Sequence, residues 1–372
     1  MVTLGLGLIG TGFMGKAHAL AYRAASAVFS DVAPVRLAYL CDTPQATAER
    51  AAAQFGFATA TDDWRALVAS SEVDIVSITT PNALHKEMAL AAIAAGKHVH
   101  CEKPLALTLE DAIEMEAAAR RAGVRTMVGY NYTHNPAVTH ARRLIADGTI
   151  GRLVHFRGWV DEDYQADPEL PWTWRAQRAN AGLGTLGDLG CHLVSMSQLL
   201  MGEIDSLIAD TQTVHKTRPL PDGSGQGTVE NEDTASAILR YKTGAQGTLC
   251  TSRSAWGRKN KLDWEVHGTK GMITFSQERL NELQIYVNDG PKAQQGFRTI
   301  LTGPEHAPYG EFCPAPGHQL GFGDLKTIEV ATFLRAITAG QEAAPNFTDA
   351  LAIEHVIHAI DTSAREGCRV TL

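Results

Sequence analysis

The sequence predicts an α/β protein built from an N-terminal, doubly wound parallel sheet and a C-terminal α/β domain with an open, mostly antiparallel sheet. Three observations predict it. The first 130 residues alternate short apolar runs with Ala-rich helical patterns, the rhythm of a parallel sheet with crossover helices. A glycine-rich turn, Gly10-Thr11-Gly12-Phe13-Met14-Gly15, joins the first run to the first helical pattern. Beyond residue 150 strand-like runs follow one another with short turns between them. A chain of 372 residues is long enough for two domains, and the change of rhythm divides it into 1–129 and 130–372.

Val2–Ile9 is an apolar strand, and Met14–Ala27 is an Ala-rich helix. Val35–Cys41 is the second strand, followed by a helix over Ala46–Phe55. Asp74–Thr79 is a buried strand, the fourth of the pattern, carrying Ile75, Val76 and Ile78. Ala83–Ala95 is a helix stopped by Gly96, and His98–Cys101 is the next strand. Leu109–Ala122 is a helix with Gly123 as its C-terminal cap. Arg125–Gly129 is the sixth strand. In the second part Leu153–Val160, Ser206–Val214, Thr234–Tyr241, Gly247–Ser252, Leu262–His267, Gly271–Phe275 and Leu283–Val287 read as strands. One helix, Leu186–Leu200, interrupts them, and helices return at Asp324–Ala339 and Asp349–Arg365. Residues 216–232 and 288–323 are rich in Gly, Pro and polar residues and read as long loops, a length that points to function or assembly.

A formal net charge of −8 disfavours a nucleic-acid-binding surface and an anionic membrane surface. The six cysteines form no CxxC pair, which fits reduced thiols and a cytoplasmic location. Residues 4–15 are apolar but laced with glycine and lack a basic leader, unlike a signal peptide. No run reaches the ~18 apolar residues of a membrane span.

The glycine turn has the strand–turn–helix context of a dinucleotide site. Gly10 permits a tight turn, Gly12 lets backbone approach a pyrophosphate, and Gly15 allows close helix–strand packing. Asp42 ends the second strand, where an acid accepts from ribose hydroxyls and repels a 2′-phosphate. Thr43 and Pro44 follow it rather than an arginine, which favours NAD over NADP; Asp42 as a helix cap is the alternative. Thr79-Thr80-Pro81-Asn82, followed by His85, either contacts the cofactor's ribose or caps the helix at Ala83.

Glu102-Lys103-Pro104 closes the fifth strand. Ligands bind outside the carboxyl ends of strands in open α/β sheets, so Lys103 is placed to polarise an oxygen or carry a proton. Asp188 and His192 are four residues apart and share a face if the segment is helical. A carboxylate there favours and orients the imidazole, as suits general base catalysis worth ~10²–10⁴-fold; a capping Asp and a core His are the plain alternative. Asp188, Cys191 and His192 are also metal-ligand types, but no HExxH or paired CxxC supports a metal, and none is expected. Trp172, Trp174, Arg175 and Arg178 either bind a sugar face and its hydroxyls or pack as core and surface pairs. Asn131 and Tyr132, in Gly129-Tyr130-Asn131-Tyr132-Thr133-His134-Asn135-Pro136, put polar groups after the sixth strand.

Together these segments resemble the Gfo/Idh/MocA family of nicotinamide-dependent sugar and cyclitol oxidoreductases. The fingerprint at 10–15, Glu102-Lys103-Pro104, Asn131 to Pro136, Trp174-Arg175 and Asp188 to His192 stand in the family's order, and the resemblance covers essentially the whole chain. It implies a Rossmann domain and an α/β domain whose open sheet mediates assembly into a tetramer or dimer. It implies Lys103 as the residue that assists proton transfer and polarises the reacting oxygen. His192 is then the acid/base, and Asp188 the group that binds substrate or tunes His192. The cofactor contacts expected on this reading are Gly10, Gly12, Phe13, Met14, Gly15, Asp42, Thr79, Thr80, Pro81, Asn82, His85, Glu102, Lys103, Asn131, Trp174 and Arg175. The substrate contacts are Lys103, Tyr132, Trp174, Arg178, Asp188 and His192. One departure is Thr133-His134, where many members carry an arginine.

The expected activity is NAD-dependent oxidation of a secondary hydroxyl of an inositol (scyllo- or myo-inositol) or a pyranose sugar to a ketone, with inositol dehydrogenases as the nearest relatives. The rival readings are an NAD-using glycoside hydrolase of the same fold and a non-enzymatic, dinucleotide-sensing regulator. An intact Lys103, Asp188 and His192 set argues against the regulator.

Overall fold

The computed structural model describes residues 2–372. Along the chain run β1 (Leu4–Ile9), α1 (Phe13–Val28), β2 (Val35–Cys41), α2 (Gln45–Phe55), β3 (Thr59–Thr61), α3 (Trp64–Ala69), β4 (Ile75–Ile78), α4 (His85–Ala94), β5 (His98–Cys101), α5 (Leu109–Ala122) and β6 (Thr126–Val128). There follow α6 (Pro136–Ala146), β7 (Leu153–Asp161), α7 (Arg178–Ala181), α8 (Cys191–Met201), β8 (Ile204–Gln212), β9 (Thr217–Pro219), β10 (Gln226–Thr228), β11 (Thr234–Tyr241) and β12 (Gln246–Ser252). The last elements are β13 (Lys261–Gly268), β14 (Gly271–Ser276), β15 (Glu282–Val287), β16 (Arg298–Leu301), α9 (Tyr309–Phe312), α10 (Phe322–Ala339), α11 (Phe347–Glu366) and β17 (Val370–Thr371).

Packing gathers these elements into two compact units. One holds the residues up to Asn131 together with Gly321–Glu354; the other holds Tyr132–Leu320 and His355–Leu372. Gly321–Glu354 therefore groups with the dinucleotide fold and not with the 130–372 segment to which a linear reading assigns it. The reason is visible in α10. Phe322 stacks on Phe13 at 5.5 Å, and Arg335 makes a two-pronged pair with Asp31 (2.8 Å each).

In the first unit the strands are parallel in the order β3-β2-β1-β4-β5-β6, the doubly wound arrangement with its switch point between β1 and β4. These strands are apolar on both faces because helices cover both; Leu6, Leu8, Leu40, Ile75, Val76, Ile78 and Val99 are fully buried. The register lines up the strand ends: Ile9 pairs with Cys41 and Ile78, Ile78 with Cys101, and Cys101 with Val128. The next residues, Gly10, Asp42, Thr79, Glu102 and Gly129, thus share one edge. Sheet hydrogen bonding continues through Gly10, Thr79, Glu102 and Gly129 (2.9 Å each). Stretch 56–73, which carries no periodic signal, contains β3 and α3.

The second unit is a nine-stranded sheet in the order β16-β15-β14-β13-β7-β12-β11-β8-β17. All pairings but β7–β12 are antiparallel. Its strands alternate buried and solvated residues, as a sheet with one covered face requires: in β13 Leu262, Trp264 and Val266 are buried and their neighbours half-buried. Gly158 lets α8 close on this face, since a Cβ there would lie 2.7 Å from Leu193 Cδ1. The long loops are not wholly irregular. Residues 216–232 contain the β9–β10 hairpin, and 288–323 contain β16 and α9. No helix of the described residues is long and apolar enough to cross a membrane.

Candidate active site

The glycine turn is built as its spacing requires. Gly10 has φ +96°, a backbone conformation that glycine adopts without strain. A Cβ on Gly15 would lie 2.1 Å from the Gly10 carbonyl oxygen, so only glycine lets α1 start this close to β1. Gly12, at the N-cap of α1, has nothing within 4 Å of where a Cβ would stand. The cap makes no side-chain hydrogen bond to the first backbone N–H groups of α1, which have no partner within the helix. An anionic pyrophosphate fits such a helix start.

Asp42 is not a helix cap, since the N-cap of α2 is Pro44. Its carboxylate accepts from the Thr11 backbone (2.9 Å), from the Thr11 hydroxyl and from the Thr43 N–H (2.7 Å). It is tied to the glycine turn and stands on the same sheet edge. Thr79 is likewise no cap: its hydroxyl donates to the carbonyls of Ile9 (3.0 Å) and Gly10 (2.9 Å) and braces the turn. Asn131 is buried, and its amide nitrogen has no hydrogen-bond partner among the described residues. The open helix start and this orphaned donor fit a polar ligand on this edge, and NAD has the required groups.

Two of the expected cofactor contacts point elsewhere. The His85 ring is fully buried, with Nδ1 2.9 Å from the Pro104 carbonyl and Nε2 3.0 Å from the Thr80 carbonyl. Burial pushes its pKa down, and the ring stitches the end of β4 to the segment after Lys103. The Glu102 carboxylate is turned inward: Oε1 accepts from His18 Nε2 and Lys326 Nζ (2.9 Å each), and Oε2 accepts from the Lys103 backbone (3.2 Å). Gly129 makes room for it, because a Cβ there would stand 2.4 Å from Glu102 Oε1. The Leu105 N–H donates to Glu354 (2.8 Å). Lys103, half-buried, therefore sits on a backbone pinned at residues 102, 104 and 105.

Beyond Glu102 a buried chain continues that the sequence does not reveal. Ser77 Oγ lies 2.8 Å from His18 Nδ1. Lys326 also donates to Glu329 (2.7 Å), which pairs with His100 Nε2 (2.9 Å), whose Nδ1 lies 3.0 Å from the Tyr22 hydroxyl. Burial pushes Tyr22 well up, so that hydroxyl keeps its proton and donates. Burial pushes His18 down to about 3, so it is a neutral ring donating to Glu102 from Nε2. Burial alone would raise Glu102, but the Lys326 charge and the His18 hydrogen bond hold it well below the usual carboxylate range. The one signal was Lys326 and Glu329, a charged i,i+3 pair among Leu325, Ile328, Val330 and Phe333.

In the second unit the helix expected over Leu186–Leu200 is divided. Leu186–Gly190 is a π-turn, and regular α8 begins at Cys191. Single π-turns are frequent at functional sites. The turn is anchored from below. Gly184 is closed on the Glu232 carbonyl, where a Cβ would come within 2.0 Å, and Leu186 N–H donates to Glu232 Oε1 (2.9 Å). Asp188 accepts a hydrogen bond from Tyr164, a residue sequence reasoning missed because nothing in its neighbourhood marks it. Burial and the Asp188 charge push the Tyr164 pKa well up, so the phenol keeps its proton and donates. His192 is buried, its carbonyl accepts from Ser195 (2.8 Å), and Tyr132 packs on its ring at 4.7 Å. Asn260 donates to the Tyr132 hydroxyl (3.2 Å). Trp174 lies under the Arg175 guanidinium at 4.4 Å. Arg178 is engaged by carboxylates, 2.6 Å from Asp361 and 4.0 Å from Glu232.

Two family models cover most of the chain. "Oxidoreductase family, NAD-binding Rossmann fold" matches residues 4–130, and "GFO/IDH/MocA C-terminal domain" matches 138–274. The chain belongs to the Gfo/Idh/MocA oxidoreductase family. It is similar to the levoglucosan dehydrogenase of Pseudarthrobacter phenanthrenivorans, 40% identical over 379 residues covering 98% of this chain and 97% of that protein. A solved levoglucosan dehydrogenase in complex with NADH and L-sorbose superposes with a TM-score of 0.97 at 40% identity, covering 100% of this chain and 99% of the other. The inositol 2-dehydrogenase of Rhizobium meliloti is 27% identical over the full length of both chains. Inositol dehydrogenases are the nearest relatives expected from the sequence, but this inositol 2-dehydrogenase stands further off than the levoglucosan dehydrogenase. This family member carries an NAD-binding Rossmann domain and is an oxidoreductase among NAD-dependent sugar and polyol dehydrogenases.

Proposed function

We propose that this protein oxidises one secondary hydroxyl of a neutral, pyranose-type sugar to a ketone, with anhydro sugars such as levoglucosan ahead of scyllo- and myo-inositol as substrates. The observation that carries the chemistry is the shared sheet edge. Gly10, Asp42, Thr79 and Glu102 end their strands on one line, which places Lys103 one residue past the edge that holds the turn. NAD, when bound, accepts the hydride from the carbinol carbon. The chain's own groups handle the proton. The Lys103 ammonium polarises the hydroxyl oxygen, and His192, with Asp188 four residues before it, takes the hydroxyl proton as the C–H bond breaks. Asp42 accepts from the ribose hydroxyls and disfavours a 2′-phosphate. The Trp172–Arg178 segment, with polar groups and no cationic cluster, favours a neutral substrate, and the levoglucosan dehydrogenase similarity supports the anhydro sugar. Assembly into a homo-oligomer, a tetramer or dimer, belongs to the same reading, as does a cytoplasmic location.

The test is NADH formation with levoglucosan, other neutral pyranoses and inositols. Lys103→Met and His192→Ala each abolish turnover while NAD affinity is retained. No absorbance change with any of these substrates overturns the substrate class.

A further inference from the structure

We infer that Lys326 is a positioning residue for Lys103: its buried ammonium keeps Glu102 ionised and so fixes the backbone on which Lys103 stands. This rests on the reading of Lys103 as catalytic. Three facts carry it. Lys326 has no exposed surface, although lysines are almost never fully buried unless paired. Its Nζ is shared by two carboxylates, Glu102 at 2.9 Å and Glu329 at 2.7 Å. Glu102 then spends its second oxygen on the Lys103 N–H (3.2 Å).

The arrangement reads outward from the ammonium in both directions as carboxylate, imidazole, hydroxyl: Glu102, His18, Ser77 on one side and Glu329, His100, Tyr22 on the other. Lys326 is the cation paired with the Glu102 carboxylate, 2.9 Å from Oε1. His18 is a neutral ring; His85, a buried ring from α4, is pushed down by burial; and Cys101, next along β5, has its thiol pushed well up by burial and by Glu102. Without Lys326, desolvation would dominate at Glu102 and push its pKa up. A protonated Glu102 carries a donor where the carboxylate only accepted, so the bonds it accepts from His18 and the Lys103 N–H must be redistributed over its one remaining carbonyl oxygen and the weaker hydroxyl acceptor. His18, His100 and Glu329 also offer metal-ligand atoms within 4.8 Å of one another, but the ammonium already supplies the positive charge at that place.

The experiment compares the wild-type enzyme with Lys326→Met, Lys326→Met/Glu329→Gln and Glu329→Gln. The double variant keeps the wild-type sum of formal charges in the cluster and provides a folded sample if the single variant collapses. Infrared spectroscopy at neutral pH is expected to show a protonated-carboxyl band in both variants lacking Lys326, lost on adding Glu102→Gln, and no such band in wild type or Glu329→Gln. Their kcat is expected to fall by about 10–100-fold, the scale of a small misplacement of a reacting group. That loss appears as a new acidic ionisation, with NAD affinity unchanged. Absence of the band in a folded variant overturns the inference. So does the band without a change in kcat, or a band in Glu329→Gln equal to that of Lys326→Met. A wild-type protein that forms no NADH would refute the catalytic reading of Lys103 instead, while the infrared result would still decide whether Lys326 keeps Glu102 ionised.

Discussion

Replacing His18 with glutamine is expected to change how the protein responds to acid. His18 is pushed from 6.5 to about 3, first by burial and then by its neighbours His100 and Lys326; the hydrogen bond to Glu102 acts in the other direction and is outweighed. Unfolded, the same ring titrates near its ordinary value, ~6.5. The folded state therefore binds fewer protons than the unfolded state between about 6.5 and 3, and stability is lost as pH falls through that window. At ~1.4 kcal/mol per unit, the full shift corresponds to about 5 kcal/mol, and ~2 kcal/mol of it falls between pH 6.5 and 5. A glutamine amide can donate to Glu102 and accept from Ser77 as the neutral ring does, and it takes up no proton. The assay is urea unfolding of wild type and His18→Gln at pH 7.5, 6.5 and 5. Wild type should lose ~2 kcal/mol more than the variant between the last two values. His85, His98, His140 and His155, also lowered, are present in both proteins and cancel in the difference. The lowered carboxyl of Glu102 contributes stability that is lost only below its unfolded value of 4.5, outside this window. Parallel pH dependences would refute the assignment of His18 as a neutral, buried donor.

Two further predictions concern the site. Tyr164→Phe removes a hydrogen bond to the Asp188 carboxylate, the charged kind worth ~1.5–3 kcal/mol; kcat/KM for the sugar should fall about 10–100-fold with NAD affinity intact, and an unchanged kcat/KM would show that Asp188 does not need the phenol. Gly12→Ala and Gly129→Ala should separate binding from stability. The first meets nothing within 4 Å, so Tm holds while NAD binding, measured calorimetrically, weakens; the second crowds Glu102 at 2.4 Å and should cost ~1–3 kcal/mol of stability.

What was legible in the sequence was whatever repeats locally. β2, β5, α5 and β11 have the boundaries that their apolar runs and capping glycine indicate. β3 was not legible because Thr59-Ala60-Thr61 is too short to alternate. The α6 signal was present in Asn135-Pro136, where the Asn135 side chain caps Ala137 N–H (2.8 Å) and proline stands at the first helical position, but those residues read equally as polar groups on a sheet edge. The glycine turn was legible because each glycine answers a backbone demand within a few residues. The inward turn of Glu102 was not, because its partners His18 and Lys326 lie 84 and 224 residues away. The Arg178 pair with Asp361 was hidden for the same reason, since the two are 183 residues apart.

The place of Lys326 has a consequence for how the chain is made. The six strands of the dinucleotide sheet are complete when the ribosome has reached Val128, yet the ammonium that neutralises their buried carboxylate is encoded 198 residues later, at Lys326. At ~5–20 residues per second, about 10–40 s pass before it emerges. During that interval the nascent sheet holds Glu102 without its cation, and its native core closes only after nearly the whole polypeptide has been synthesised.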